Sequence, residues 1–475
     1  MPDWLNKLLP ILVLLAVVVV VIRRLPRVEL GHSEAFRARR VANWLPVGLA
    51  YAFLYMGRYN LTAYKNAVGM SNDDYGSIDG FGAIVYGLSF ILNGPLTDRF
   101  GGRFTMLVAV IGAGLANGAM GLFAQDGWTP EKAGTFSLLY ALNMYFQSFG
   151  AVSIVKVNAA WFHLRERGTF GGIFGILISL GLYFSYDWTR WIAEFWGVEA
   201  PKGAPRLDPS VAADHWVFWV PALVLLVAAV VVYMLVQDTP GKAGHDDFDT
   251  GDAGSGDTGE RKPLLVLVKL MLTNRIILTI TAIEFCSGYL RNAVMKWYQV
   301  YAKAIGQGGD FVAMNWGMLL CCAGILGGVF AGTISDAVFQ SRRGPVAAIL
   351  YGGMVLGGAG LMFLMGSPAL GWMVIFMSLC IIGVHGMLSG TASMDFGGKA
   401  NVGIVVGIID GFVYLGSALQ SIVLKKVLPE TGTPAAAEAA NWVTWAYAML
   451  PMAAVGLLLS LLVWNARATK SAAAH

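Results

Sequence analysis

GPLTDRFGGR (residues 94–103) closes one apolar stretch of the chain, and GTISDAVFQSRR (332–343) closes another. Each runs from a small residue through Ser or Thr to an aspartate and then to arginines. The first supplies Gly94, Asp98, Arg99 and Arg103; the second supplies Gly332, Asp336, Arg342 and Arg343. The two glycines are 238 positions apart (332 − 94), and two arginines inside apolar stretches, Arg58 and Arg291, are 233 apart (291 − 58). A motif repeated at nearly constant offset reads as a chain built of two similar halves, as expected where two bundles rock about a shared centre.

Composition says what surrounds those halves. Of 475 residues, 56% are apolar and 13% charged, against about 25% charged in an ordinary soluble domain. So few charges cannot cover a water-facing surface, so most of the surroundings must be lipid. The 59 glycines fit the same reading, because small residues let helix backbones approach closely within a membrane. A hydrocarbon core of about 30 Å takes roughly 20 apolar residues per helix. Thirteen such stretches are readable, near 5–22, 43–64, 77–97, 104–124, 135–157, 170–192, 216–236, 272–301, 311–334, 345–366, 369–393, 402–425 and 442–464. The four cysteines, Cys286, Cys321, Cys322 and Cys380, all fall inside them without metal-ligand spacing.

The expected architecture is an all-α polytopic membrane protein with twelve core helices in two six-helix bundles and one extra helix before them. Residues 1–41 form that extra helix and a basic cytoplasmic segment, 42–236 the first bundle, 237–270 a flexible cytoplasmic linker, 271–465 the second bundle, and 466–475 a cytoplasmic tail. Arginines orient the chain, since they are retained on the cytoplasmic side. Arg23, Arg24, Arg27, Arg37, Arg39 and Arg40 follow the first stretch, which predicts an outside N-terminus and an uncleaved anchor. Arg99 with Arg103, Arg165 with Arg167, and Arg342 with Arg343 fall at every second connection, on the same side. The linker is read from GKAGHDDFDTGDAGSGDTGERK (241–262), too polar and glycine-rich to bury an apolar face.

Arg58 and Arg291 are the residues that need explaining. An arginine at the centre of a membrane helix costs about 2.5–3.5 kcal/mol on insertion scales and normally faces a cavity and a partner. Each planar guanidinium can donate two parallel hydrogen bonds to phosphate oxygens, so one arginine from each half could clamp a phosphate monoester between them. The competing reading is a buried ion pair: Glu284, seven residues before Arg291, lies two turns away on the same helix face. Tyr51, Tyr55 and Arg58 share one face, where the tyrosines either meet the same anion or simply pack. Asp410 and Tyr414, four apart, share another. Lys296 is about 140° around its helix from Arg291, at the edge of a cavity or paired structurally with Asp410 or Glu284. His385 reads as a packing residue, and Lys156 and Asn158 as residues near a cytoplasmic helix end, where lysine snorkels easily.

The quoted motif resembles the signature loop of the major facilitator superfamily. More narrowly, YAFLYMGRYN (51–60), WFHLRERG (161–168), GTISDAVFQSRRG (332–344) and GIIDGFVYLGS (407–417) resemble the organophosphate:phosphate antiporter family, which includes glycerol-phosphate and hexose-phosphate transporters. The resemblance covers most of 42–465 and leaves out the N-terminal stretch. It implies that Arg58 and Arg291 are phosphate ligands and that Tyr51, Tyr55, Tyr86 and Tyr414 line the cavity. Asp98 and Asp336, with their glycines and arginines, then serve helix-end structure and gating.

Departures from the family pattern are concentrated around that cavity. Tyr59 stands near the second position of the family's arginine–lysine pair, and Phe90 replaces a cavity lysine. Ile178, beside Ser179, replaces a histidine on the fifth helix, and Lys296 replaces an aspartate. Basic groups are lost from the first half and one is gained in the second, which leaves room for a substrate with a second anionic group.

The expected activity is secondary transport of a phosphorylated organic anion in exchange for inorganic phosphate, in a bacterial inner membrane, by a monomer. No phosphate-cradling glycine loop followed by Lys and Ser or Thr is present, so neither an ATP-driven motor nor any enzyme is expected. The expectation includes no cofactor, no metal and no nucleic-acid partner. Two alternatives stay open: proton-coupled symport, for which Glu284 and Asp410 are the titratable groups, and a membrane sensor of sugar phosphate that does not transport.

Overall fold

A computed structural model describes residues 31–163, 167–195, 215–250, 275–339 and 342–465, with isolated positions at 16, 266, 269 and 273. The expected N-terminal helix at 5–22 and its first three arginines lie outside the described residues, as does the tail at 466–475.

Twelve long helices follow one another among the described residues. In the first half these are α1 (Glu34–Val68), α2 (Asn72–Phe100), α3 (Gly102–Ala124), α4 (Ala133–Ala159), α5 (Arg167–Tyr183) and α6 (Trp216–Leu235). In the second half they are α7 (Arg275–Ala304), α8 (Trp316–Ala337), α9 (Arg343–Leu364), α10 (Ala369–His385), α11 (Ser393–Val427) and α12 (Val443–Leu462). α5 continues through a π-helical turn, Phe184–Trp188, and α10 ends in another, Gly386–Ala392. Such turns break the i→i−4 ladder and frequently occur at functional sites.

Local chemistry sets the helix ends. The Ser33 hydroxyl accepts from Phe36 N at 3.2 Å and caps α1, and left-handed Gly69 ends it. Ser71 caps α2 in the same way through Asp74 N. Among the described residues, eight helices are long and apolar enough to cross a membrane. Neither α1 nor α7 is among them; they carry Arg58 and the trio Glu284, Arg291 and Lys296, so the helices least suited to lipid are those that supply the polar centre.

The halves meet chiefly where α2 runs along α11. A Cβ added at Gly94 would sit 2.5 Å from the Gly403 carbonyl oxygen, and one at Gly87 would sit 2.7 Å from that of Gly411. Real side chains do not tolerate such distances, so glycine is what allows these two backbones to touch. The motif glycine Gly94 is thus a contact point between halves.

At the end of the bundle away from the GPLTDRFGGR motif, polar contacts tie the halves together. Lys425 Nζ pairs with Asp73 at 2.9 Å, and the Asn72 amide N–H donates to Glu430 at 2.7 Å. Asp187, in the first π-turn, accepts from the backbone N–H groups of Gly317 and Met318 at 3.0 and 2.9 Å. A first-half carboxylate thereby occupies the N-terminus of α8, where orphan donors and the helix dipole favour negative charge.

At the motif end, residues 237–250 depart from the flexible linker expected of them. The Gln237 N–H donates to Asn43 at 2.7 Å, Trp161 Nε1 donates to the Gln237 carbonyl, and Asp238 accepts from Arg103 N at 2.8 Å. Phe248 packs edge-on against Phe36 and His32. The composition of the segment is polar, but these few residues match partners at the ends of α1, α3 and α4. Residues 251–265 lie outside the described residues.

Candidate functional site

Arg58, on α1, is only 2% exposed and donates to three side chains. Its Nε donates to Gln147 Oε1 on α4 at 3.0 Å, its Nη2 to the Tyr86 hydroxyl on α2 at 2.5 Å, and its Nη1 to the Tyr414 hydroxyl on α11 at 2.8 Å. The faces of Tyr55 and Tyr86 lie 4.5 and 4.6 Å from the guanidinium carbon. Arg291, on α7 and 6% exposed, lies 5.1 Å from the Tyr414 ring. Tyr414 therefore bridges the two arginines, with its hydroxyl on one and its ring face on the other. A cation over an aromatic face is worth about 2 kcal/mol or more when desolvated, which offsets part of the burial cost of each arginine.

The other predicted tyrosines belong to the same cluster. Tyr51 and Tyr55 hydroxyls are 3.5 Å apart, and Tyr55 stacks on Tyr59. Phe90, where the resembling family carries a lysine, lies parallel to Tyr414 with ring centroids 5.6 Å apart. The site thus has an aromatic wall where a further cation was absent from the sequence. A small cavity beside it is lined by Tyr55, Tyr59, Ile178, Arg291 and His385, among others.

The charged residues around Arg291 pair differently from expectation. Lys296 contacts neither Asp410 nor Glu284: its Nζ forms an ion pair with Asp79 on α2, and its ammonium lies over the Tyr59 ring. Asp79 also accepts from Ser421 at 2.7 Å and Asn292 at 3.2 Å. Lys296 therefore ties the halves together and does not line the small cavity. Glu284 does not neutralise Arg291 by contact; its Oε2 is 2.9 Å from His385 Nδ1. Asp410 accepts a hydrogen bond from Ser389.

The motif residues sit at the bundle end. Asp98 pairs with Lys156 on α4 at 2.6 Å. Arg99 is exposed beside the Phe100 ring. Arg103 donates to the Tyr233 carbonyl at 2.5 Å, Arg342 to that of Phe339 at 3.1 Å, and Arg343 to Ser335 Oγ at 3.0 Å. The side chain of Asp336 lies outside the described residues.

Sequence reasoning missed Gln147, Asp79 and the partnership of His385. Asp79 carried a signal, since an intramembrane carboxylate is as costly as an intramembrane arginine. Gln147 carried little, because a neutral amide within an apolar stretch has many possible partners.

Two six-helix halves with buried cations at their junction define a polytopic membrane transporter of the secondary type, not an enzyme. The chain belongs to the Major Facilitator Superfamily, which residues 47–421 match. It is 26% identical over 446 residues to the membrane sensor protein UhpC of Salmonella typhimurium, covering 90% of this chain and 92% of that one. It is 24% identical over 400 residues to the glycerol-3-phosphate transporter of Bacillus subtilis, covering 81% and 85%. These relatives are consistent with the organophosphate:phosphate antiporter family. The fold matches that of a bacterial homologue of the human lysosomal transporter Spinster, in an inward-facing, occupied conformation. The TM-score is 0.65 at 12% identity, over 91% of this chain and 97% of that one.

Proposed function

We propose that this transporter carries a phosphorylated organic anion, of the sugar phosphate or glycerol phosphate type, in exchange for inorganic phosphate. It works by alternating access in a bacterial inner membrane, with the arginine-rich connections and C-terminus on the cytoplasmic side. The observation that carries the reading is the convergence of Arg58 and Arg291, from opposite halves, on Tyr414. An anion entering between them exchanges tyrosine contacts for charge-assisted forks, and its binding draws on both halves at once. Tyr51, Tyr55 and Tyr86 supply hydroxyls and ring faces around it. Lys296 we assign to the contact between halves through Asp79, Glu284 and Asp410 to the ionisable surroundings of Arg291, and the two repeated motifs to gating.

Proteoliposomes test this. Uptake of labelled glycerol-3-phosphate or glucose-6-phosphate should depend on phosphate loaded inside and should persist when the proton gradient is collapsed. Uptake driven by a proton gradient in vesicles without internal phosphate would replace antiport by symport. Similarity to a membrane sensor supports a second reading, binding without turnover. Saturable binding with no counterflow under any loading would establish it.

A further inference from the structure

The small cavity beside Arg291 has an apolar wall that the phosphate clamp leaves unused. α5 supplies Ile178 and Leu182, four positions apart and so on one helix face. From the other half come Met295 on α7 and Ile382 on α10. All four are buried, and none carries an N–H or O–H to donate. The hydroxyl nearest in sequence is turned away from them. Ser179 Oγ donates to the Gly175 carbonyl at 2.8 Å and packs on α8 where Gly324 leaves room for it. Gly181 draws α5 close to α1, since a Cβ there would lie 2.9 Å from the Tyr55 ring. That approach presses Ile178 and Leu182 up to the tyrosines of the site.

The cavity adjoins the two arginines. Arg291 lines it, and so does Tyr55, whose ring lies 4.5 Å from the Arg58 guanidinium carbon. Its lining comes from α1 and α5 on one side and from α7 and α10 on the other, so it widens as the halves part. Charge there is accounted for. A phosphate monoester carries about −1.5 to −2 at neutral pH, which the two arginines match. Lys296 is engaged by Asp79, and Phe90 lies parallel to Tyr414. A carboxylate entering with the phosphate would therefore be desolvated without a counter-charge.

We infer that the preferred anion carries phosphate as its one charged group and presents methylene or methyl surface, not hydroxyls, to Ile178, Leu182, Met295 and Ile382. This rests on the phosphate-clamp reading above and narrows it: among phosphate monoesters, the site selects those whose organic part is poor in hydroxyls. A hydroxyl set against this wall loses its water and gains no partner. A methylene in the same place leaves water and gains contacts. The four side chains thus determine specificity, while the arginines supply the affinity for phosphate.

The test is displacement of labelled inorganic phosphate from the purified full-length protein by n-propyl phosphate, glycerol-3-phosphate and 3-phosphoglycerate. n-Propyl phosphate is glycerol-3-phosphate without its hydroxyls, and 3-phosphoglycerate has a carboxylate in place of one of them. n-Propyl phosphate should half-displace the label at a concentration about tenfold to a hundredfold below that of glycerol-3-phosphate, as an apolar pocket discriminates against an added hydroxyl. 3-Phosphoglycerate should be the weakest of the three. Leu182→Asn and Ile178→Thr each place a hydrogen-bonding group in the wall and should narrow the ratio of n-propyl phosphate to glycerol-3-phosphate by about threefold or more. The ratio is measured within one protein, so a lower folded yield or a weaker overall affinity cancels. Equal potency of the three competitors, or greater potency of glycerol-3-phosphate or 3-phosphoglycerate, overturns the inference while leaving the arginine clamp intact. A ratio unchanged in both variants overturns its assignment to this wall. Absence of phosphate binding in wild type overturns the clamp itself.

Discussion

The Tyr414 hydroxyl accepts a 2.8 Å hydrogen bond from Arg58 Nη1 across the boundary between halves, while its ring faces Arg291. One side chain thereby places two like charges that would otherwise repel, and it occupies the space that an anion joining them would enter. Replacing Tyr414 by Phe keeps the ring and removes the acceptor. We expect KM for the transported anion to rise about five- to tenfold, because the hydroxyl that the anion frees from Arg58 is no longer there to donate to it, with little change in thermal stability. Initial-rate uptake measurements check this, and a melting temperature unchanged beside a raised KM separates positioning from misfolding.

Asp79 and Lys296 form a buried ion pair between α2 and α7. Removing one member of such a pair leaves the other uncompensated, at a cost of about 3–5 kcal/mol. Asp79→Asn is therefore expected to lower the melting temperature and to favour separation of the halves at the end tied by Asp73 and Lys425. The double variant Asp79→Asn, Lys296→Met should recover most of the stability. A double variant no more stable than the single one would mean that the pair is not the source of the loss.

Gly94 allows α2 and α11 to touch, and a Cβ there meets the Gly403 carbonyl oxygen at 2.5 Å. Gly94→Ala should cost about 1–3 kcal/mol through overpacking and should reduce exchange more than it reduces the yield of folded protein. Folded yield by size-exclusion chromatography beside initial rates of exchange measures both.

Much of this is legible in the sequence. Apolar stretches of membrane length located the helices, and Arg58 and Arg291 announced themselves because arginine is so costly in lipid. The repeated Gly–Asp–Arg motif showed two halves, although only packing revealed that Gly94 is where they touch. Pairings were harder to read. Lys296 finds Asp79 across 217 positions and His385 finds Glu284 across 101, and one-dimensional spacing cannot choose among several intramembrane carboxylates. The docking of 237–250 is not legible because composition averages hide single anchors such as Asp238 and Phe248, whose partners Arg103 and Phe36 lie on two different helices.

The central claim is that Arg58 and Arg291 together hold the phosphate group. Phosphate–phosphate exchange in proteoliposomes, measured for Arg58→Lys and Arg291→Lys beside wild type, tests it most directly. Lysine keeps the charge and loses the planar fork, so each variant should lose exchange by about a hundredfold or more, in line with about 3 kcal/mol for a disrupted buried charged contact. Exchange at wild-type rates and affinities in both lysine variants would contradict the account.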